Sequence, residues 1–397
     1  MDKPTAPIAE HKQTGRTSPN AGKVSPETGL WKPKGCEQIA LVFQGGGALG
    51  AYQAGVYQAL HEHDIEPDWV TGVSIGAINA AIIAGNPRER RLEQLRIFWE
   101  RITARPGLGP TPDGDIWRKM QNAASTAMTT AFGQPGFFKP NPVSAWLSLP
   151  GAAAATAMYD TSPLRATLLD LVDFDRINRR ASRFAVGAVN VTSGNFIYFD
   201  NAAEIITPEH IMASGALPPA LPMIKIGGDY FWDGGIVSNT PLQHLLDNND
   251  DKNTLVFQVD LFSAQGALPR DMEDVLGRQK DITYSSRTRL TTDVYRHLMD
   301  LKARLRDALA KVPEELLSDA DRAMKAELGE LPAINILHLI YQQKAYEGHA
   351  KDHDFSETSM REHWASGYED TTRTLRQRHW LEMSSLPGVQ VHDVHRV

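Results

Sequence analysis

Cysteine is nearly absent: Cys36 is the single one among 397 residues. One thiol excludes an internal disulfide framework and a cysteine-rich zinc site, and it suits a reducing compartment. Long apolar runs are missing as well. No stretch has the length needed to span a bilayer, and the N-terminal residues carry no hydrophobic core of a signal peptide. Positive charge is in deficit, with 41 Lys and Arg against 48 Asp and Glu and a formal net charge of −7. That balance argues against a nucleic-acid binder, whose phosphate contacts need clustered cations. No His, Asp or Glu cluster has metal-ligand spacing, so neither a metal nor another cofactor is expected. Residues 1–37 hold few large apolar side chains before Trp31 and many Pro, Ser, Thr, Gly and Lys, the composition of a disordered lead-in. The expected location is the cytoplasm, with any membrane contact peripheral.

What the chain does contain is ordinary globular composition, 42% hydrophobic and 22% charged, and enough length for one large or two moderate domains. Its chemistry centres on Gly72-Val73-Ser74-Ile75-Gly76. Asp68–Thr71 reads as a short buried strand, and Ile75–Ala84 as an alanine-rich helix ending at Gly85. Ser74 then sits on the turn between them, the G-x-S-x-G elbow that pushes a hydroxyl out at a strand's carboxyl end. The helix begins at the serine, so its N-terminal amides point at any oxyanion formed there. The rival reading is an ordinary strand-to-helix turn with a capping serine.

Gln38–Gln44 is an almost wholly apolar run of the kind found in buried parallel strands. Gly45-Gly46-Gly47-Ala48-Leu49-Gly50 follows it, and then a helical stretch from Ala51 to Leu60. Glycines between a strand and a helix expose backbone N–H groups to something negative. A dinucleotide loop competes, with G-x-G-x-x-G drawn from Gly45 to Gly50, but the next strand leads to Ser74 rather than to a ribose-binding acid.

Further along, 106–158 is rich in Pro, Gly and Ala and carries Trp117, Phe132, Phe137, Phe138 and Trp146. It reads as an insertion without regular α/β structure, its aromatics either core or the wall of a lid. Regular pattern returns with Ser162 as a helix cap, strands at Arg183–Val191 and Asn195–Asp200, and a short helix from Thr207 to Gly215. Gly227-Gly228-Asp229 reads as a hairpin turn whose second strand ends at Asp233-Gly234-Gly235. An acid so placed is ordinarily a turn former.

Taken in order, Gly45–Gly50, Gly72–Gly76 and Asp233-Gly234-Gly235 resemble the motifs of the patatin-like phospholipases. The resemblance spans about Ile39 to Leu261. It implies an α/β class fold, a three-layer α/β/α sandwich with a central mostly parallel sheet. It also implies Ser74 as nucleophile, Asp233 as its base in a Ser–Asp dyad, and Gly45, Gly46 and Gly47 as the oxyanion loop. The substrate would be a lipid or acyl ester, cleaved through an acyl-enzyme without a cofactor. One departure stands out: many members carry Lys or Arg in the glycine loop where this chain has Leu49.

This reading divides the chain into the lead-in 1–37, a catalytic domain 38–262 and a mainly helical C-terminal extension 263–397. The extension is similar to one found behind some bacterial patatin-like domains. Within it Ile334–Tyr341 reads as a strand, 278–311 as one long helix, and Ser359-x-x-Glu362 as a capping box. Arg287, Arg289, Arg296, Lys302, Arg304 and Arg306 on the long helix form a solvated face or an anionic-membrane contact. Two rivals remain. An α/β-hydrolase triad would need a late histidine, His338 or His349. A catalytically weak lipid-binding protein would leave Ser74 idle. The oligomeric state is open.

Overall fold

The apolar runs of the sequence form the middle of a nine-stranded sheet, in a computed structural model that describes residues 30–103, 114–285, 287–329, 331–344 and 346–394. In chain order the strands are β1 (Gln38–Phe43), β2 (Trp69–Gly72), β3 (Lys139–Pro140), β4 (Tyr159–Asp160), β5 (Arg183–Asn190), β6 (Phe196–Asp200), β7 (Ile224–Ile226), β8 (Asp229–Asp233), β9 (Thr254–Asp260), β10 (Ala333–Ile340) and β11 (Gly388–Val394). The helices are α1 (Ala51–Glu62), α2 (Ile75–Ala84), α3 (Arg88–Thr103), α4 (Asp115–Phe132), α5 (Ser162–Leu171), α6 (Phe174–Asn178), α7 (Pro208–Ser214), α8 (Leu242–Asp247), α9 (Met272–Ser285), α10 (Arg287–Leu309), α11 (Asp319–Leu328) and α12 (Glu357–Arg376). Most of the expected lead-in, and residues 106–113 of the insertion, lie outside the described residues.

The sheet runs β11-β10-β9-β1-β2-β5-β8-β7, with β6 also on β5, while β3 and β4 pair separately. Every pairing from β11 to β5 is parallel; β6, β8 and β7 add antiparallel strands at the far side. Parallel strands are covered on both faces, which is why β1 and β9 are buried at every position. Alternation of side chains sorts the core into two layers. Ile39, Leu41 and Phe43 join Leu255, Phe257 and Val259 against α1, α2, α3 and α12. Ala40, Val42, Val256 and Ile336 meet Leu242 and Leu245 of α8 and Met299 of α10 on the other face. The result is a mostly parallel sheet between helical layers. Burying a side chain such as Leu41 or Phe43 stabilises this arrangement by roughly 2 kcal/mol each.

The C-terminal extension is built into this sheet. Its helices are accompanied by β10 on β9 and β11 on β10. Several local expectations shift. The insertion contains the eighteen-residue α4, because its prolines flank the helical stretch instead of interrupting it. The cap of α5 is Thr161, with Asp160 accepting from both the amide and the hydroxyl of Ser162. α12 is capped by Ser356, whose hydroxyl takes the Ser359 N–H, so Ser359 lies one turn inside. The stretch 278–311 belongs to two helices, α9 and α10. Of its cationic face, Arg296 pairs with Asp293 at 3.2 Å and Arg304 with Asp300 at 3.8 Å. The side chains of Arg287 and Arg289 lie outside the described ones.

Candidate active site

β2 ends at Gly72 and α2 starts at Ile75, leaving Ser74 on a two-residue turn at the carboxyl edge of the sheet. Its backbone sits at φ 56° and ψ −124°, a strained conformation for a residue with a Cβ. The flanking glycines allow that bend. A Cβ on Gly72 would strike the Gly76 carbonyl group, and one on Gly76 would lie 2.6 Å from the Phe43 carbonyl oxygen. Ser214, at the end of α7, steadies the elbow. Its carbonyl and hydroxyl oxygens both stand 3.1 Å from the Ser74 N–H, and its hydroxyl donates to the Gly187 carbonyl at 2.6 Å.

Asp233 arrives from the other arm of the sheet. It closes β8, opposite Ala188 of β5, and only 2% of its surface is exposed. Burial pushes its carboxyl up to about 6; the Ser74 hydroxyl and the Gly235 N–H, the latter 2.7 Å away, hold it from rising further. A carboxylate with that pKa, facing a serine hydroxyl, can take a proton near neutral pH.

The glycine loop brings β1 to the same spot. Gly45 spends its N–H on the Asn239 carbonyl at 3.1 Å, and a Cβ there would come 3.1 Å from that of Ser74. Gly46 and Gly47 donate to no acceptor among the described residues, so their amides are free beside Ser74. Gly47 is in the left-handed region at φ 54°, where its missing Cβ makes room for the Asp352 carbonyl. Gln44 anchors the loop by accepting from Leu261 and Phe262 N–H at 2.6 and 2.9 Å. Leu49 turns into the core with no exposed surface, away from the cavity.

Gly45, Gly46, Gly47, Ser74 and Asp233 line one cavity of about 370 Å³. Its remaining walls are mostly apolar: Phe137, Phe138, Met158, Leu217, Leu221 and Phe262. Phe137 belongs at once to the core and to the wall, with its ring 6.0 Å from that of Phe355. Sequence reasoning missed the contribution of the extension. Tyr284 of α9 and Asp352, His353 and Phe355 ahead of α12 close one side. The loop that carries them is pinned by Lys351, buried and ion-paired with Asp281 at 2.8 Å, and by Lys280 on Asp352 at 2.7 Å. Nothing local in the sequence marks these residues as neighbours of Gly47.

The histidines of the rival triad lie elsewhere. His338 of β10 is buried between Asp260 at 2.7 Å and Asp393 at 2.9 Å, and His349 faces Glu273 at 3.8 Å. Neither lines the cavity. Among the described residues no group of His, Cys, Asp and Glu could hold a metal ion.

The sequence pattern of patatin-like phospholipase matches residues 41–246, about half of the chain and the part that holds all three motifs. The chain belongs to the patatin-like phospholipase family. A second pattern, described as patatin phospholipase, matches 282–386 and so takes in the wall contributed by the extension of this patatin-like chain. A putative patatin-like phospholipase domain-containing protein of Caenorhabditis elegans is 41% identical over 61 residues, 15% of this chain and 6% of that protein. A lysophospholipase of Cryptococcus neoformans is 26% identical over 241 residues, 60% of this chain and 12% of that one. The chain thus spans a small fraction of the length of the curated relatives it matches. Among solved structures, human GIVD cytosolic phospholipase A2 aligns over 87% of this chain and 60% of its own, with 11% identity and a TM-score of 0.40. VipD from Legionella pneumophila aligns over 92% and 72%, with 15% identity and a TM-score of 0.38.

Proposed function

We propose that this patatin-like protein is a serine acyl hydrolase that cleaves carboxylic esters of lipids through an acyl-enzyme. The observation that carries the reading is the strained Ser74 facing a buried Asp233 beside two free glycine amides. Asp233 takes the Ser74 proton as Oγ bonds to the ester carbonyl carbon, and the Gly46 and Gly47 amides hold the resulting oxyanion. Collapse breaks the ester C–O bond, and the proton on Asp233 passes to the departing alcohol. A water then gives its proton to Asp233 and attacks the acyl group, freeing the acid and restoring Ser74. No second side-chain base is needed, and Gly45 serves by having no side chain. Each amide donor contributes about 3 kcal/mol in the transition state, so the loop can act without a cation at Leu49.

The apolar walls suit an acyl chain, and the lipid-hydrolase descriptions of the family and of the fungal relative favour a lipid ester. In this reading 38–262 carries the chemistry and the extension 263–397 supplies one side of the cavity. A fluorophosphonate probe tests the central step. It is expected to label the wild type and not Ser74→Ala. Equal labelling of both would remove Ser74 from the mechanism, and an unlabelled wild type that turns over no short-chain ester would make the protein a lipid binder.

A further inference from the structure

α4 is an amphipathic helix set with its apolar side outward. Trp117, Met120, Ala124, Ala127, Met128 and Ala131 recur at helical spacing along one face, and Trp117, Met120 and Met128 expose 52%, 59% and 45% of their surface. The opposite, polar face is what docks on the protein. Arg118 donates to Glu362 of α12 at 2.7 Å, and Thr129 donates to Gln134 at 3.1 Å. Asn122, with its amide turned to suit its neighbours, donates to Asp354. A surface helix ordinarily buries its apolar stripe; one that bonds through its polar side presents the stripe to something apolar.

The loop 141–158 does the same. Its base is closed by β3 and β4 and by the Asn141 N–H on the Met158 carbonyl at 3.0 Å, and Met158 N–H donates to Ala220 of the cavity wall at 3.0 Å. Beyond that fixed base Trp146, Leu147 and Leu149 stand 91%, 81% and 80% exposed.

Charge and continuity say what covers this surface. Residues 116–159 contain no Asp or Glu in a chain of net charge −7; their only charged residues are Arg118, Lys119 and Lys139. Arg118 is spent on Glu362 and Lys139 pairs with Asp160 at 3.2 Å, which leaves the exposed Lys119. Both apolar elements also run out from the catalytic cavity, which Thr129 and Thr130 of α4 and Met158 and Tyr159 of the loop line, and the Tyr159 hydroxyl donates to the Thr130 carbonyl at 2.7 Å. Thr130 and Met158 are themselves exposed, so the cavity reaches the surface between the two. We infer that the outward face of α4 and the 143–149 loop tip dock the protein on an anionic lipid bilayer, with the mouth of the cavity against the headgroups. The Trp and aliphatic side chains would enter the interface, with Lys119 on anionic headgroups. The inference rests on the lipid-ester reading for its orientation and identifies where the substrate is collected.

The test uses the full chain in the Ser74→Ala background, so that lipid stays intact, with sucrose-loaded vesicles of phosphatidylcholine and phosphatidylglycerol. Adding Met120→Ser, Trp146→Ser, Leu147→Ser and Leu149→Ser is expected to lower vesicle partitioning by roughly tenfold or more. The same four changes with Ser74 intact should leave short-chain ester turnover and the melting midpoint unchanged. Trp146→Ser alone, at a position with almost no packing to lose, repeats the test should the fourfold variant melt early, with an expected loss of about threefold. Unchanged partitioning of both variants, or no partitioning of the parent, overturns the proposal. So does a parent dimer in light scattering that the four changes split, which would make a second copy the occupant. Failure of the hydrolase reading looks different: vesicle binding persists while the protein with Ser74 intact turns over no short-chain ester.

Discussion

Exchanging Asp233 for asparagine keeps the shape of the side chain and its acceptor for the Gly235 N–H while removing the charge. Three consequences follow. Burial raises this carboxyl from 3.8 to about 6, because ionising it places a charge where only 2% of the residue meets water. A group whose folded pKa is raised contributes stability below its unfolded pKa that is lost as pH climbs through the folded one. Above about pH 6, therefore, the ionised Asp233 costs the folded state about 3 kcal/mol relative to an uncharged side chain, at 1.36 kcal/mol per unit. Asp233→Asn is expected to be more stable than the wild type by up to about 3 kcal/mol at about pH 8, with the gain vanishing below about pH 4. Activity should move the opposite way, falling roughly 10²–10⁴-fold with the loss of the base. In the wild type, kcat/KM should rise with pH through about 6 as the carboxylate ionises. Urea unfolding of both proteins across pH, beside nitrophenyl ester turnover, reads all three. A variant less stable than the wild type at about pH 8, or a gain that does not change with pH, would refute the argument that the base is kept reactive at the expense of stability.

Truncating Phe137, 8% exposed and part of the core, should cost about 3 kcal/mol in stability. The half-buried Phe138→Ala should melt nearly as the wild type while losing more activity on long-chain than on acetate esters, and proportionate loss on both substrates would place its role outside chain binding. His353→Ala should keep turnover within about a few-fold, since this exposed histidine of the cavity rim is given no proton-transfer role; a loss matching Ser74→Ala would reinstate a histidine base. Burial alone would lower the pKa of His338, but the charges and hydrogen bonds of Asp260 and Asp393 outweigh it and raise the pKa to about 9. The stability from this pair of contacts is complete below the unfolded value of about 6.5 and lost as pH rises through about 9, on the order of 3 kcal/mol. His338→Gln should flatten that slope in urea unfolding, and an unchanged slope would remove the imidazole from it.

The three motifs were readable because each is a local event. An apolar run long enough for one buried strand, glycines where a Cβ would hit backbone, and a helix-forming stretch after the turn all lie within about fifteen residues. Those signals located β1 with its loop, β2 with its elbow, and the β7–β8 hairpin ending at Asp233. The same locality explains the shifted caps at Thr161 and Ser356. Several Ser, Thr and Asp stand close together there, and which one caps depends on where neighbouring side chains let the helix begin. The insertion misled for a related reason: its prolines are visible in sequence, but whether they break a helix or bracket it depends on where α4 starts.

By itself, then, the sequence determined the strand-loop-helix units, the order of the three motifs and the residue types of the proposed acyl transfer. Only the tertiary structure decided that Ser74 of β2–α2 meets Asp233 across β5, and that Gly45 has already spent its amide on Asn239. It also decided that Asp352, three hundred residues beyond Gly47, closes the glycine loop. There α12 crosses α1 so closely that Gly367 and Gly55 can carry no side chain against the Tyr52 and Trp364 carbonyls. The face of α4 illustrates the reason most simply. Periodicity fixes which residues share a side of a helix, while the direction of that side is set by what the helix packs on, and its partners Glu362 and Asp354 are polar.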